Sequence, residues 1–214
     1  MKKTGVALLI AGGVLLLALA GAGTVFYVRV YRPIGSPLMA MAGGKTLEER
    51  RLQNRAEFVP PASGQLTAEQ TARFVGVEDE VLRRLAGGIA DLTRGQRDLE
   101  QARNANALTV QTALRAFGDI KDVYLSAKVA QIDAMNRANF SKSEFEWVRR
   151  QLYCAAGLRL SQVDVSEVLA GVPDATVVVR QFELTGGVPE QNQHLALPLA
   201  SRLQMWSPLG FFGL

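Results

Sequence analysis

From Thr4 to Val28 the chain carries no charged side chain. As an α-helix this run reaches roughly 37 Å at about 1.5 Å per residue. That is enough to cross a bilayer's hydrocarbon core of about 30 Å with some tilt. Lys2 and Lys3 precede the run, Arg29 and Arg32 follow it, and Phe26, Tyr27 and Tyr31 stand where interfacial aromatics belong. The run also has the parts of a cleaved export signal: a basic start and the small-x-small site Ala18-Leu19-Ala20. Because the apolar stretch continues past Ala20 to Val28, an uncleaved anchor is the favoured expectation and cleavage after Ala20 the alternative. A short basic flank ahead of a long domain predicts a cytoplasmic N-terminus and an exported remainder.

Beyond the anchor the pattern changes twice. Residues 30–65 are punctuated by Pro33, Gly35, Pro37, Gly43, Gly44, Pro60 and Pro61 and read as a juxtamembrane linker. A short polar helix is expected over Leu47 to Arg55, in an otherwise ill-ordered tether. From Leu66 onward apolar residues recur at helical spacing. Thr67-x-x-Gln70 is a capping box, and Phe74, Val77, Val81, Leu85, Ile89 and Leu92 follow at three- and four-residue steps on one helix face. Glu78, Asp79 and Glu80 are expected on the solvated side. Residues 95–138 continue helically, with Gly118-Asp119 as a possible division and Asn136 to Asn139 as the close. Ser141-x-x-Glu144 opens another helix, ending near Gly157. It is apolar on two sides, with Trp147 and Cys154 opposite Phe145, Val148 and Leu152, as in a helix held between neighbours.

The last quarter is less regular. Val163 to Leu169 reads as a short helix. Residues 176–185 are rich in β-branched side chains but alternate imperfectly, so helix is slightly favoured over strand, no partner strand being evident. Pro189 suits the first turn of a final helix, and Pro198 should kink or end it. The chain closes on an apolar tail from Met205 to Leu214. These elements predict a mostly α protein: an N-terminal transmembrane helix (1–29), the linker (30–65) and one antiparallel, bundle-like helical domain (66–214).

Charge changes the picture. The formal net charge of +4 suggests a basic protein, yet Lys2, Lys3, Arg29 and Arg32 flank the anchor. The other 20 basic residues balance the 20 acidic ones. A neutral domain without a basic, aromatic-interleaved patch gives nucleic acid no footing. The domain is long enough to bury a core without disulfides, and with Cys154 alone it can form none within the chain.

Chemical motifs are sparse. Gly43-Gly44-Lys45-Thr46 resembles the end of a phosphate-binding loop, but Met39 stands where that loop needs glycine. One Cys and one His cannot build a Cys/His zinc site. No G-x-S-x-G elbow serves a nucleophilic serine, and no Glu-x-x-His pair serves a di-iron site. Cys154 reads as a small buried side chain and His194 as a partly buried helix residue. No catalytic, metal or cofactor-binding residue is assigned. The candidates for partner contact are Trp147, Arg149 and Arg150 in Phe145-Glu-Trp-Val-Arg-Arg-Gln151 and Trp206, Phe211 and Phe212 in the tail, since Trp and Arg anchor interfaces. Against them stand an internal Trp147 beside solvated arginines, and a tail that completes the core, which ranks first for the tail.

The blocks Leu66-Thr-x-Glu-Gln70, Ser141-x-x-Glu-Phe-x-Trp-Val-Arg-Arg-Gln151 and Val188-Pro-x-x-Asn192 resemble recurring blocks of uncharacterised bacterial membrane-anchored or exported helical proteins. The resemblance spans Leu66 to Arg202 and departs at Pro198, inside what should be an unbroken helix. It implies no activity. The expected function is therefore an envelope protein in the inner membrane, anchored in the bilayer through residues 4–28, whose periplasmic domain binds a protein partner or a second copy of itself. A small-ligand or lipid binder between helices, and a hydrolase without recognisable motif, are the alternatives.

Overall fold

The computed structural model describes residue 43 and residues 47–85, 87–164, 176–182 and 187–214. The apolar run 4–28, the Ala18-Leu19-Ala20 site and the phosphate-loop mimic's Gly44 to Thr46 lie outside the described residues. Among the described residues, no helix is long and apolar enough to cross a membrane. They form six α-helices and one two-stranded sheet: α1 (Ala68–Leu85), α2 (Ile89–Asn104), α3 (Val110–Arg137), α4 (Lys142–Ala155), β1 (Leu160–Asp164), β2 (Val178–Phe182), α5 (Glu190–Ala196) and α6 (Ala200–Phe211). The protein is thus mostly helical with a small antiparallel sheet.

Helix starts follow the predicted chemistry. Both arms of the first capping box are made: Gln70 N donates to Thr67 Oγ1 at 3.0 Å, and Thr67 N donates to Gln70 Oε1 at 3.1 Å. At α4, Glu144 N donates to Ser141 Oγ. Helix ends share one device. Asn106, Asn139, Gly157 and Gly213 all take positive φ (52°, 53°, 68° and 71°). At each, two backbone N–H groups turn back onto the last helical carbonyls, as in Gly157 N to Cys154 O and Leu158 N to Tyr153 O. Only Gly and Asn tolerate that conformation cheaply.

The structure corrects three local expectations. The long helical region divides at Asn106 to Thr109, where Thr109 caps α3, and not at Gly118-Asp119. An interior glycine costs a helix only about 1 kcal/mol, less than the burial of Phe117 and Ile120 on either side returns. Residues 178–182 are a strand, not a helix. Their partner is β1, paired antiparallel from Leu160↔Phe182 to Asp164↔Val178. Val163, expected to open a helix, instead faces Val179 across the sheet. Arg180 adds an ion pair to Asp164 at 2.6 Å. The rest of the expected 163–169 helix falls outside the described residues.

Helices α1 and α3 run antiparallel: Arg73 near the start of α1 donates to Ala138 O just past the end of α3, and Gly88 just past the end of α1 meets Val123 midway along α3. A Cβ on Gly88 would stand 2.9 Å from Val123 Cγ1, so this crossing requires glycine. Helix α5 stops at Ala196, and a 3-10 turn over Leu197–Leu199 carries Pro198 into α6. The tail then enters the core. Trp206 meets Phe74 edge-on at 6.1 Å, Phe74 meets Phe145 at 5.3 Å, and Phe212 meets Phe117 at 5.2 Å. Trp206, Leu209, Phe211 and Leu214 are fully buried.

Residues 47–58, part of the expected linker, are packed on the domain as a strap. Residues 47–51 form a short helical turn. Leu52 is buried, Gln53 N and Arg51 O both bond the Asn136 side chain, and Phe58 lies 5.2 Å from Trp147. Asn54 bonds Asn139 as well. A tether would leave these polar groups to water; here they close onto α3 and α4.

Candidate functional site

Three segments distant in sequence converge on Asn192, which is fully buried at the start of α5. Its Oδ1 accepts from Leu66 N at 2.7 Å. Its Nδ2 donates to Gly64 O and to Gln151 Oε1, both at 2.9 Å. Gln191 Nε2 adds a bond to Leu66 O at 2.6 Å. Next to this node, Glu144 accepts from Gln70 at 3.2 Å and pairs with Arg73, whose guanidinium lies over the Phe140 ring. Leu66–Gln70, Ser141–Gln151 and Val188–Asn192 are therefore one assembly in space. Asn192 spends both amide hydrogens and its oxygen within the chain, so its role is to join segments.

Charges are buried in the domain as well. Lys128 on α3 donates to Glu48 Oε2 at 3.1 Å, Gln131 Oε1 at 2.9 Å and Gly213 O at 2.6 Å. Glu48 also meets Lys142 at 2.5 Å. Burial alone would raise the Glu48 pKa, but Lys128 and Lys142 outweigh it and hold the carboxyl below its ordinary value. Lys128 is held below the ordinary lysine value, first by burial, with Arg149 and Lys142 adding repulsion. Glu78 is buried on α1, and burial pushes its pKa up to about 8 against the pull of Arg149. Asp79 next to it is held by both Arg202 contacts at 2.5 Å.

One open groove of about 460 Å³ runs between the strap and the start of α4. Glu48, Glu49, Asn54, Arg55, Glu57, Lys142, Ser143 and Glu146 give it a mixed, carboxylate-rich wall, with Leu52 at its floor. Ser143 Oγ accepts from Phe58 N, and Lys142 is engaged by Glu48. The groove is thus suited to polar recognition.

The six residues proposed for partner contact do not form one surface. Trp147 is 7% exposed and faces Phe58 of the strap. Arg149 is 3% exposed and donates to Leu214 O at 2.7 Å. Arg150 is exposed and lies over Phe182 of β2 at 5.8 Å. Adjacent helix positions point apart, so one cluster in sequence becomes three contacts in space. Trp206, Phe211 and Phe212 are inside the core, which is the core-completing alternative for the tail. Of the six, only Arg150 is open to solvent.

Other expectations also move. The Glu78–Glu80 triplet was read as a solvated face, but Glu78 is in the core because it stands four residues after Phe74 and three before Val81. His194 is not partly buried: its side chain is 77% exposed and 3.6 Å from Glu190. Cys154 is half-buried, with Sγ 3.9 Å from Phe182 O. Among the described residues no group of three or more His, Cys, Asp or Glu side chains is placed to hold a metal ion.

Compared with protein families, curated proteins and solved structures, the chain matches none.

Proposed function

We propose that this is a single-pass bacterial envelope protein, anchored through residues 4–28 with its N-terminus in the cytoplasm, whose exported helical domain binds a protein partner or a second copy of itself. The observation that supports this reading is the strap. The chain between the apolar run and the domain is fastened to α3 and α4 by Glu48, Leu52, Asn136 and Phe58. Only residues 29–46 are left between the anchor and the strap. At an extended reach of about 3.3–3.6 Å per residue they hold the groove within roughly 60 Å of the bilayer. A polar groove at that short leash suits contact with a membrane-proximal partner.

Topology is tested by a C-terminal reporter fusion and by alkaline carbonate extraction. A cytoplasmic reporter signal or release from the membrane refutes the anchor arrangement. For the partner, a photocrosslinking residue at Glu57, on the groove, is compared with one at Arg97 on α2. Adducts from position 57 alone support recognition at the groove, and adducts to the same chain identify self-association. Equal yield from both positions, or none from either, refutes it.

A second reading, a small-ligand or lipid binder, draws on the groove's volume, which lies in the range of ligand sites of about 300–1,000 Å³. Thermal stabilisation of the chain by a polar small molecule, lost in Glu57→Ala, would favour it over a protein partner.

A further inference from the structure

Among the described residues four buried polar side-chain atoms have no hydrogen-bond partner: Arg73 Nε, whose guanidinium pairs with Glu144, and a group of three, Glu78 Oε2, Arg149 Nε and Trp206 Nε1. The three belong to one packed region. Phe74, one turn before Glu78, touches both Trp206 and Phe145, and Phe145 carries the Arg149 guanidinium 5.7 Å from its ring centre. Asp79 and Arg202 pair beside them, and Arg202 also lies over Trp206. The interior thus holds a carboxyl oxygen without a donor and a guanidinium N–H without an acceptor. Glu78 has no ion pair among the described residues, and the same guanidinium donates through Nη1 to Leu214 O. Unmet polar groups of this kind are costly in a dry interior, so a rearrangement that joins them is favoured once a charge appears.

We propose that Arg149 is a latch with two positions: on Leu214 while Glu78 is protonated, and on Glu78 when that carboxyl loses its proton to solvent. On α1, Asp79 is occupied by Arg202 of α6. From α4 come Arg149 itself and the buried Tyr153, whose hydroxyl is pushed up by burial and by Glu78. From α3 comes Lys128, committed to Glu48, Gln131 and Gly213. Ionised Glu78 therefore has Arg149 as its available cation. Lys128 keeps its bond to Gly213 O, so the change is confined to the end of the tail around Leu214 and does not unfold α6. The Arg149 stem runs past Gly210, its Cδ 3.8 Å from where a Cβ would stand at that position. Raised pKa values agree with the protonated state as the resting one.

The test follows two nuclei in the full chain in detergent micelles: the Leu214 methyl groups, assigned with Leu214→Ile, and the Glu78 carboxyl carbon, assigned with Glu78→Gln. Across pH 6 to 10 the Leu214 methyl resonances should shift with the same midpoint as the Glu78 carboxyl, and in Glu78→Gln they should stay fixed. A Glu78 carboxyl that titrates while Leu214 stays still overturns the latch. So does an unchanged Leu214 transition in Glu78→Gln, or a carboxyl already ionised at pH 6. Should Glu78→Gln fail to fold, the two midpoints in the unsubstituted chain decide alone, coincidence supporting the latch and separation refuting it.

Discussion

Replacing Asn192 by Ala removes the one side chain that ties the segment before α1, helix α4 and helix α5 together. Its three hydrogen bonds do not carry equal weight. Leu66 is fully buried and Gln151 is 7% exposed, so Leu66 N and Gln151 Oε1 lose partners where water does not replace them. Gly64 is half-exposed, and its carbonyl recovers solvent. At about 1–3 kcal/mol per buried group left unpaired, two such groups give a loss of about 2–5 kcal/mol. That is a large part of a domain stability of about 5–15 kcal/mol. Asn192→Asp provides the control. It keeps the acceptor for Leu66 N but offers Gly64 and Gln151 one O–H when protonated, and none when ionised, in place of two amide hydrogens, and it places an ionisable group in a dry site. Burial raises that carboxyl's pKa, so the folded state holds a proton that the unfolded state gives up, and the Asp variant loses stability as pH rises. Urea unfolding followed by circular dichroism at pH 4.5 and 7.5 measures each loss from the midpoint at constant m. Adding Gln151→Leu to Asn192→Leu should cost less than the sum of the single changes, because both unpaired partners disappear together. A loss below about 1 kcal/mol for Asn192→Ala, or strict additivity in the pair, would refute the account of this node.

The remaining predictions concern other parts of the fold. Glu78 should make the protein less stable as pH rises from about 4.5 to 8, by roughly 4 kcal/mol over the window, since the native state retains the proton; Glu78→Gln should remove that slope in paired urea titrations. Glu48→Gln leaves Lys128 buried without its carboxylate and should cost about 2–4 kcal/mol. It should also free the strap, read as faster tryptic cleavage at the exposed Arg50, Arg51 and Arg55. The wild type should show the same loosening only as pH falls below the ordinary carboxylate range, because the depressed Glu48 pKa stabilises the fold above that range. Gly210→Ala brings a Cβ to 3.1 Å from Leu160 Cδ1 and should destabilise, whereas Gly76→Ala on the open face of α1 meets nothing within 4 Å and should stabilise by about 0.5–1 kcal/mol. Thermal melts that rank these two glycines the other way refute the packing of α6 on β1.

What could be read from the sequence depended on whether the controlling interaction was local. The capping boxes at Thr67 and Ser141, the end at Gly157 and the break at Pro198 involve neighbours in the chain, and each stands in the structure as its residues require. The division of the long helix was legible too, but in a different place. Asn106 and Thr109 carry the left-handed turn and the cap, while Gly118 merely lowers propensity and packing overrides it. The β-hairpin was not legible, because β2 shows its character only beside β1. Lone β-branched residues in 176–185 fit either state until Leu160–Asp164 supplies the register.

The buried charges follow a rule that was present in the sequence. Glu78, Lys128 and Arg149 each stand four residues after a buried aromatic, namely Phe74, Tyr124 and Phe145. That spacing puts each charge on the same helix face as the ring. Reading Glu78–Glu80 by its charge placed the triplet in solvent, whereas reading it by phase places Glu78 inside and leaves Asp79 and Glu80 at the rim with Arg202 and Arg137. The three phased charges also share a destination. Lys128 reaches Gly213, Arg149 reaches Leu214, and Glu78 lies in the region where Arg149 ends. An apolar tail alone would be held by burial, which has no preferred register. Two cations on its carbonyls give it one, and the same cations connect the tail to the strap through Glu48. The neutral sum of the domain's charges is therefore not inert surface balance: part of it is spent inside, fixing the first and last described segments of the domain to each other.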